Sequence, residues 1–372
     1  MLLGGLLILQ TVLLAILRSD TAFSPWLIYI GRSPSGRAYL YRVSVNGQQH
    51  IQLTDVNSIN STPSLSPDGS QLTYVIRDTV NHRGLWVMDM ASGQRQRFDT
   101  NGMSLDVSWS TDGQWLAYQT WANGYFIYKM RPDGSENQAI LPDGIESEVP
   151  IWSPDGTSLA FYSCYLGCNL HRLQLNDATV SRISNEFFVI FEDDDIEWSP
   201  DGQFLYVVMS REIWRVSVET GQGEMIGRGQ NISMSPDGEW VVYEDRRNEQ
   251  IFIMKTRTDG TGEAIELTEG WNPEWSPDGA WIVFGSQYHD NLALLLMRPD
   301  GSQIHHLTDT RERFPDPQWS PPLPHGWNGW ILLVMGIFLA IGPPVLSSFL
   351  NRSTDRNYDA AVGGSTNVVL HS

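Results

Sequence analysis

The chain has 372 residues and a formal net charge of −19, from 24 Lys+Arg against 43 Asp+Glu. With 41% apolar residues, 15 Trp, 13 Tyr and 13 Phe, disorder is excluded for most of its length. Segments 1–17 and 327–350 carry no charged side chain and the charges of 351–372 cancel, so the whole excess sits on 18–326. Such a surface repels phosphate backbones and anionic lipid headgroups, which argues against nucleic-acid binding and peripheral membrane docking.

Residues 2–17, LLGGLLILQTVLLAIL, are interrupted only by Gln10 and Thr11. At 1.5 Å per residue the run spans ~24 Å, short of a ~30 Å bilayer core. Residues 1–20 are thus a hydrophobic anchor or a signal segment. The anchor is favoured, because no Lys or Arg precedes the run and no clean small-x-small site follows it.

A repeat then occupies 25–321. SLSPDGSQLTYV (64–75) is matched by SWSTDGQWLAYQ (108–119), IWSPDGTSLAFY (151–162), EWSPDGQFLYVV (197–208), SMSPDGEWVVYE (233–244) and EWSPDGAWIVFG (274–285). Ser-Pro-Asp-Gly encodes a tight turn, with Pro presetting φ and Gly taking the left-handed position. An alternating strand follows each turn, then a third strand such as LWVMDM (85–90) or IFIMK (251–255), a second turn, and a fourth strand such as IELT (265–268). Four strands per ~42 residues predict a β-propeller blade. WLIYIG (26–31), YLYRVSV (39–45) and HIQLTD (50–55) form a copy lacking its first strand, and the orphan QWSP at 318–321 supplies it. The expectation is an all-β, seven-bladed propeller of four-stranded blades, closed by its C-terminal strand.

Within the repeat, Cys164 and Cys168 are the only cysteines. They flank a three-residue loop between two strands, and a disulfide is expected. Asp193, Asp194 and Asp195 match no calcium-loop pattern and read as a solvated acidic loop. The adjacent Phe187, Phe188 and Phe191 are either a contact patch or an irregular outer strand.

Residues 327–350, WNGWILLVMGIFLAIGPPVLSSFL, are long enough to cross a bilayer as a transmembrane helix, with Trp327 and Trp330 at one interface. Arg352 and Arg356 follow, so the positive-inside rule places the polar tail 351–372 in the cytoplasm and the propeller in the periplasm or outside the cell.

The W-S-P-D-G-x-x-[LIV]-x-[FY] unit, with its I-Y-x-M-like strand and D-G turn, resembles the TolB-type, WD-repeat-like propeller repeat over about four-fifths of the chain. Seven blades and a terminal membrane segment set the chain apart from TolB itself, whose propeller has six blades, so a role in the Tol–Pal system is not implied.

Trp109, Trp152, Trp198, Trp275 and Trp319 recur at one blade position and are expected to pack between blades. No catalytic signature occurs: neither G-x-S-x-G, H-E-x-x-H nor a phosphate-binding loop is present. His305-His306 lie on an outer strand and face opposite ways, so no metal and no cofactor are expected. The loops opposite the Ser-Pro-Asp-Gly turns differ in every blade. They carry Arg77, Arg83, Arg211, Arg246, Arg247 and His289, with Trp121 and Trp271 interleaved. Either these are a solvated rim, or they are a binding face for a protein, peptide or glycan, whose arginines suit an acidic partner. The function expected is a membrane-anchored, extracytoplasmic, non-enzymatic binding module. The alternatives are a propeller lyase or hydrolase working at the channel mouth, or a membrane-bound sensor.

Overall fold

The computed structural model describes residues 26–32, 37–55, 63–79, 82–98, 100, 103–121, 124–141, 145–164, 166, 169–184, 195–288, 291–309 and 317–321. All belong to the first of two compact units, Met1–Pro322 and Leu323–Ser372. Among these residues no helix is long and apolar enough to cross a membrane; segments 1–17 and 327–350 lie outside them.

The turns build the blades. In the first, Gly69 N donates to Ser66 O at 2.8 Å and Gly69 sits at φ +70. The Ser66 hydroxyl donates to Asp68 Oδ1 at 2.6 Å and accepts from Gln71 N at 2.9 Å, which starts the returning strand. The same serine-to-aspartate bond recurs at Ser110, Ser153, Ser199, Ser235 and Ser276. Each turn therefore satisfies its own polar groups and reverses the chain by one fixed geometry.

The described strands form seven four-stranded antiparallel sheets, each with its first-named strand at the axis and its last at the rim. Blade 2 is Ser64–Leu65, Gln71–Thr79, His82–Asp89 and Arg95–Phe98. Blade 3 is Met103–Trp109, Leu116–Trp121, Tyr125–Met130 and Gln138–Ala139, and blade 4 is Glu148–Trp152, Ser158–Ser163, Asn169–Gln174 and Val180–Arg182. Blade 5 is Ile196–Trp198, Phe204–Met209, Glu212–Ser217 and Gly223–Arg228, and blade 6 is Gln230–Met234, Trp240–Arg247, Gln250–Arg257 and Ile265–Glu269. Blade 7 is Trp271–Trp275, Ile282–Tyr288, Asn291–Met297 and His305–Asp309.

Blade 1 closes the ring. Its inner strand, Gln318–Trp319, pairs with Trp26–Arg32, followed by Ala38–Ser44 and His50–Gln52. Trp26 N donates to Ser320 Oγ at 2.8 Å and Ser320 N to Trp26 O at 2.7 Å. Pairing the two ends of the repeat removes the exposed sheet edges.

The core lies between blades. Val75, Leu85, Val87 and Phe98 of blade 2 pack on Trp109, Leu116, Tyr118 and Met130 of blade 3, and the pattern recurs around the ring. The sequence suggests second strands with one inward stripe. In fact both faces are covered by neighbouring blades, so all of Ser158–Ser163 is buried. The recurrent tryptophans stitch neighbours: Trp109, Trp152, Trp198 and Trp319 Nε1 each donate to the preceding blade's inner-strand carbonyl, at 3.1–3.4 Å. Trp275 occupies the same place, but its Nε1 is buried without an acceptor.

Candidate functional site

On one side of the ring lie the Ser-Pro-Asp-Gly turns; on the other lie the hairpin loops and blade connectors. The turn side repeats. An aromatic ring at the start of the second strand is capped by cations from the third: Arg42 on Trp26, Lys129 and Arg131 on Trp115, Arg215 on Phe204, Lys255 and Arg257 on Trp240, and Arg298 on Trp281, all within 3.7–4.9 Å. Arginine is therefore not confined to the loop side, as the loop sequences alone suggest.

The loop side does not repeat. Trp121, last residue of its strand, is 41% exposed. Among the described residues it is the one tryptophan left that open. Leu166, 36% exposed, sits in the corresponding loop of blade 4. Hydrogen bonds join the two loops: Ser147 N donates to Tyr125 O, Ser163 Oγ to Glu146 O, and Leu166 N to Ser163 Oγ. Ser210 and Arg211 form a two-residue hairpin with φ of 51 and 65, a turn that favours glycine or asparagine. Arg211 is exposed and reaches Arg246 O at 3.4 Å. Arg246 is exposed, whereas Arg247 is paired with Asp245 at 2.7 Å and Glu266 at 2.8 Å.

The other residues expected on this face are placed differently. Trp271 is not a loop residue; it begins the inner strand of blade 7, only 9% exposed, beneath Gly285, whose missing side chain makes room for the indole. Arg77 and Arg83 stand opposite each other across the blade 2 hairpin. Their side chains, and His289, lie outside the described residues. Cys164 is held in a disulfide, its Sγ 3.1 Å from the Tyr162 hydroxyl; Cys168 lies outside the described residues. So do Asp193, Asp194, Phe187, Phe188 and Phe191.

Carboxylates line the axis, and the sequence reading missed them. Asp195 is not part of a solvated loop: its Oδ2 accepts from Ile232 N at 3.1 Å. Glu197, on the same inner strand, accepts from Met234 N at 3.1 Å. Desolvation, with the Glu274 and Asp195 carboxylates beside it, pushes the Glu197 carboxyl well above its ordinary range. Glu244 is 1% exposed and accepts from Asn231 Nδ2 at 2.8 Å and Asn272 N at 2.5 Å. Burial raises its pKa, and these hydrogen bonds oppose the rise. The available signal was the residue before each recurrent Trp or its counterpart: Ser64, Ser108, Ile151, Glu197, Ser233, Glu274 and Gln318. Glutamate at two of those positions marks an acidic sector at blades 5 and 7.

A neutral Glu197 beside Asp195 can give or take a proton. Among the described residues no set of three or more His, Cys, Asp and Glu side chains could hold a metal ion. His305 and His306 diverge, the first meeting Trp281 and the second Tyr288 and Asp309.

The TolB beta propeller domain matches residues 22–168 and 147–323. The chain belongs to that family. A TolB homolog of Chlorobium luteolum is 33% identical over 133 residues, covering 36% of this chain and 30% of the homolog. An uncharacterized peptidase of Bacillus subtilis, YuxL, is 26% identical over 217 residues, covering 54% of this chain and 32% of the peptidase. The chain thus spans about a third of the length of these curated relatives. Among solved structures, an oligogalacturonate lyase in complex with manganese superposes with a TM-score of 0.58 at 18% identity, covering 73% of this chain and 85% of the lyase. That likeness is one of fold.

Proposed function

We propose that this TolB-like propeller is a non-enzymatic binding module, anchored in a membrane with its propeller outside the cytoplasm, and that it takes a protein or peptide partner on its loop face. The observation that carries the reading is the exposed Trp121: on the turn side such rings are capped by cations, and on the loop side this one is left for a partner. Arg211 and Arg246 add cations on the loops of blades 5 and 6 and suit acidic side chains of the partner. The axial carboxylates repel such a segment, so contact stays on the rim.

Photo-crosslinker placed at Trp121 tests this on membranes carrying the full chain, with Gln203 in a turn as the control. A discrete protein adduct from position 121 and none from 203 is expected. Adducts from 203 alone, or from neither site, overturn the reading.

One observation favours a second reading, an enzyme with a carboxyl acid at the axis: the raised pKa of Glu197. Incubation of the chain with oligogalacturonate decides this case. New unsaturated ends that vanish in Glu197→Gln support a lyase, and no product from the wild type removes it.

A further inference from the structure

The turn side has one irregular junction. Elsewhere the proline of one turn packs against the glycine of the next blade's turn: Pro67 on Gly113, Pro154 on Gly202, Pro200 on Gly238, Pro236 on Gly279, and Pro321 on Gly69 across the ring closure. Between blades 3 and 4 the turn reads Ser-Thr-Asp-Gly, and the Thr111 hydroxyl, not a proline ring, lies against Gly156. A cavity of about 220 Å³ opens at this junction, lined by Ser110, Thr111, Asp112, Trp115, Lys129, Trp152, Asp155, Gly156 and Leu175.

The repeat provides its own control for Lys129. Its counterpart in blade 6, Lys255, also lies on a tryptophan, at 4.5 Å, and donates to Pro299 O of the next blade at 2.6 Å. The Lys129 ammonium lies 4.4 Å from the Trp115 ring centre and meets no carbonyl or carboxylate among the described residues. A half-buried ammonium without an acceptor leaves a strong donor unused. Across the cavity, Asp112 and Asp155 are held below the usual carboxylate range, first by the hydroxyls of Ser110 and Ser153, so both stay ionised at neutral pH. Asp112 spends only Oδ1 on its turn, leaving Oδ2 for a donor. Trp152 and Leu175 supply the apolar wall.

We infer that this cleft binds a single pyranose unit. A sugar ring carries hydroxyls that accept from Lys129 and donate to Asp112 or Asp155, and its C–H face suits the indole wall. The volume lies below the ~300–1,000 Å³ of drug-sized pockets and suits one ring. The site stands apart from the loop face and does not depend on it.

Saturation-transfer NMR on the full chain in detergent tests the assignment, with methyl glucoside as a free ring and a gluco-tetrasaccharide as a chain end. Transfer to the ring C–H protons is expected in wild type. It should weaken about tenfold in Lys129→Met, which keeps the stem and removes the donor. It should vanish in Thr111→Pro, which restores the proline ring of the other junctions, and persist in Lys255→Met. Transfer to the tetrasaccharide alone identifies a chain-end site; transfer to both identifies a free-sugar site. No transfer to either probe in wild type overturns the proposal, as does transfer undiminished in both Lys129→Met and Thr111→Pro. If Thr111→Pro fails to fold, Lys129→Met decides.

Discussion

Two side chains act against their local preference. Arg211 stands at φ 65 in a hairpin position where glycine costs less. Arg211→Gly should raise stability by about 0.5–1 kcal/mol in denaturant unfolding, yet weaken binding of the loop-face partner. A variant that is both less stable and equally competent in binding would remove the role given to Arg211. Glu197 is the second case, its folded-state pKa lying above the unfolded value. The folded state therefore holds the proton more tightly, and stability falls as pH rises from the unfolded pKa, about 4.3, through the folded one. Glu197→Gln keeps the acceptor for Met234 N and removes the charge. Its melting temperature should match wild type near pH 4 and exceed it increasingly toward neutral pH, as thermal melts across that range will read.

At the scale of the strand, the closure of blade 1 rests on very few residues. Gln318–Trp319 is a two-residue strand, yet Trp319 is 8% exposed and packs with Leu27, Tyr29 and Val43 of its own blade and Leu294 and Leu296 of blade 7. Its Nε1 donates to Glu274 O at 3.3 Å, and Pro321 just beyond it covers Gly69 of blade 2. Trp319→Ala should cost about 3–5 kcal/mol, while Ile304→Ala, at a 46% exposed outer position, should stay within about 0.5 kcal/mol. A chain ending at residue 313 should lose cooperative unfolding, because two blade edges would stand open. A truncated chain that melts like wild type would show that the ring does not need this strand.

For the whole molecule, the proposed topology is tied to redox state. The chain has two cysteines, and Cys164 is in a disulfide. Disulfides persist outside the reducing cytosol. Alkylation of freshly isolated membranes under non-reducing conditions should leave Cys164 and Cys168 unlabelled, and reduction should expose both thiols at a cost of ~2 kcal/mol for so short a loop. Labelled thiols before reduction would return the propeller to the cytoplasm. The net charge of −19 acts over the same scale: self-repulsion should make the melting temperature rise with salt before specific effects intervene.

The propeller, its seven blades and the strand that closes it were all legible in the amino-acid order. Turn chemistry is local: Ser-Pro-Asp-Gly builds the same hydrogen-bonded bend wherever it stands, and a period of ~42 residues repeats the same strand set. The tryptophans before the turns were legible as inter-blade packing for the same reason. The surface was not. Arg247 is tied up by Glu266 of the neighbouring strand, Trp271 slides under Gly285, and Asp195 leaves its acidic run to hold a blade 6 amide. Glu197 and Glu274 stand 77 positions apart in the chain and share one electrostatic environment. Lys129 and Lys255 occupy equivalent places in the repeat, yet only one finds a carbonyl in the next blade. Each of these outcomes depends on what the adjacent blade presents, a distance along the chain that no local pattern spans, so ring closure alone decides which charges meet and which stay free.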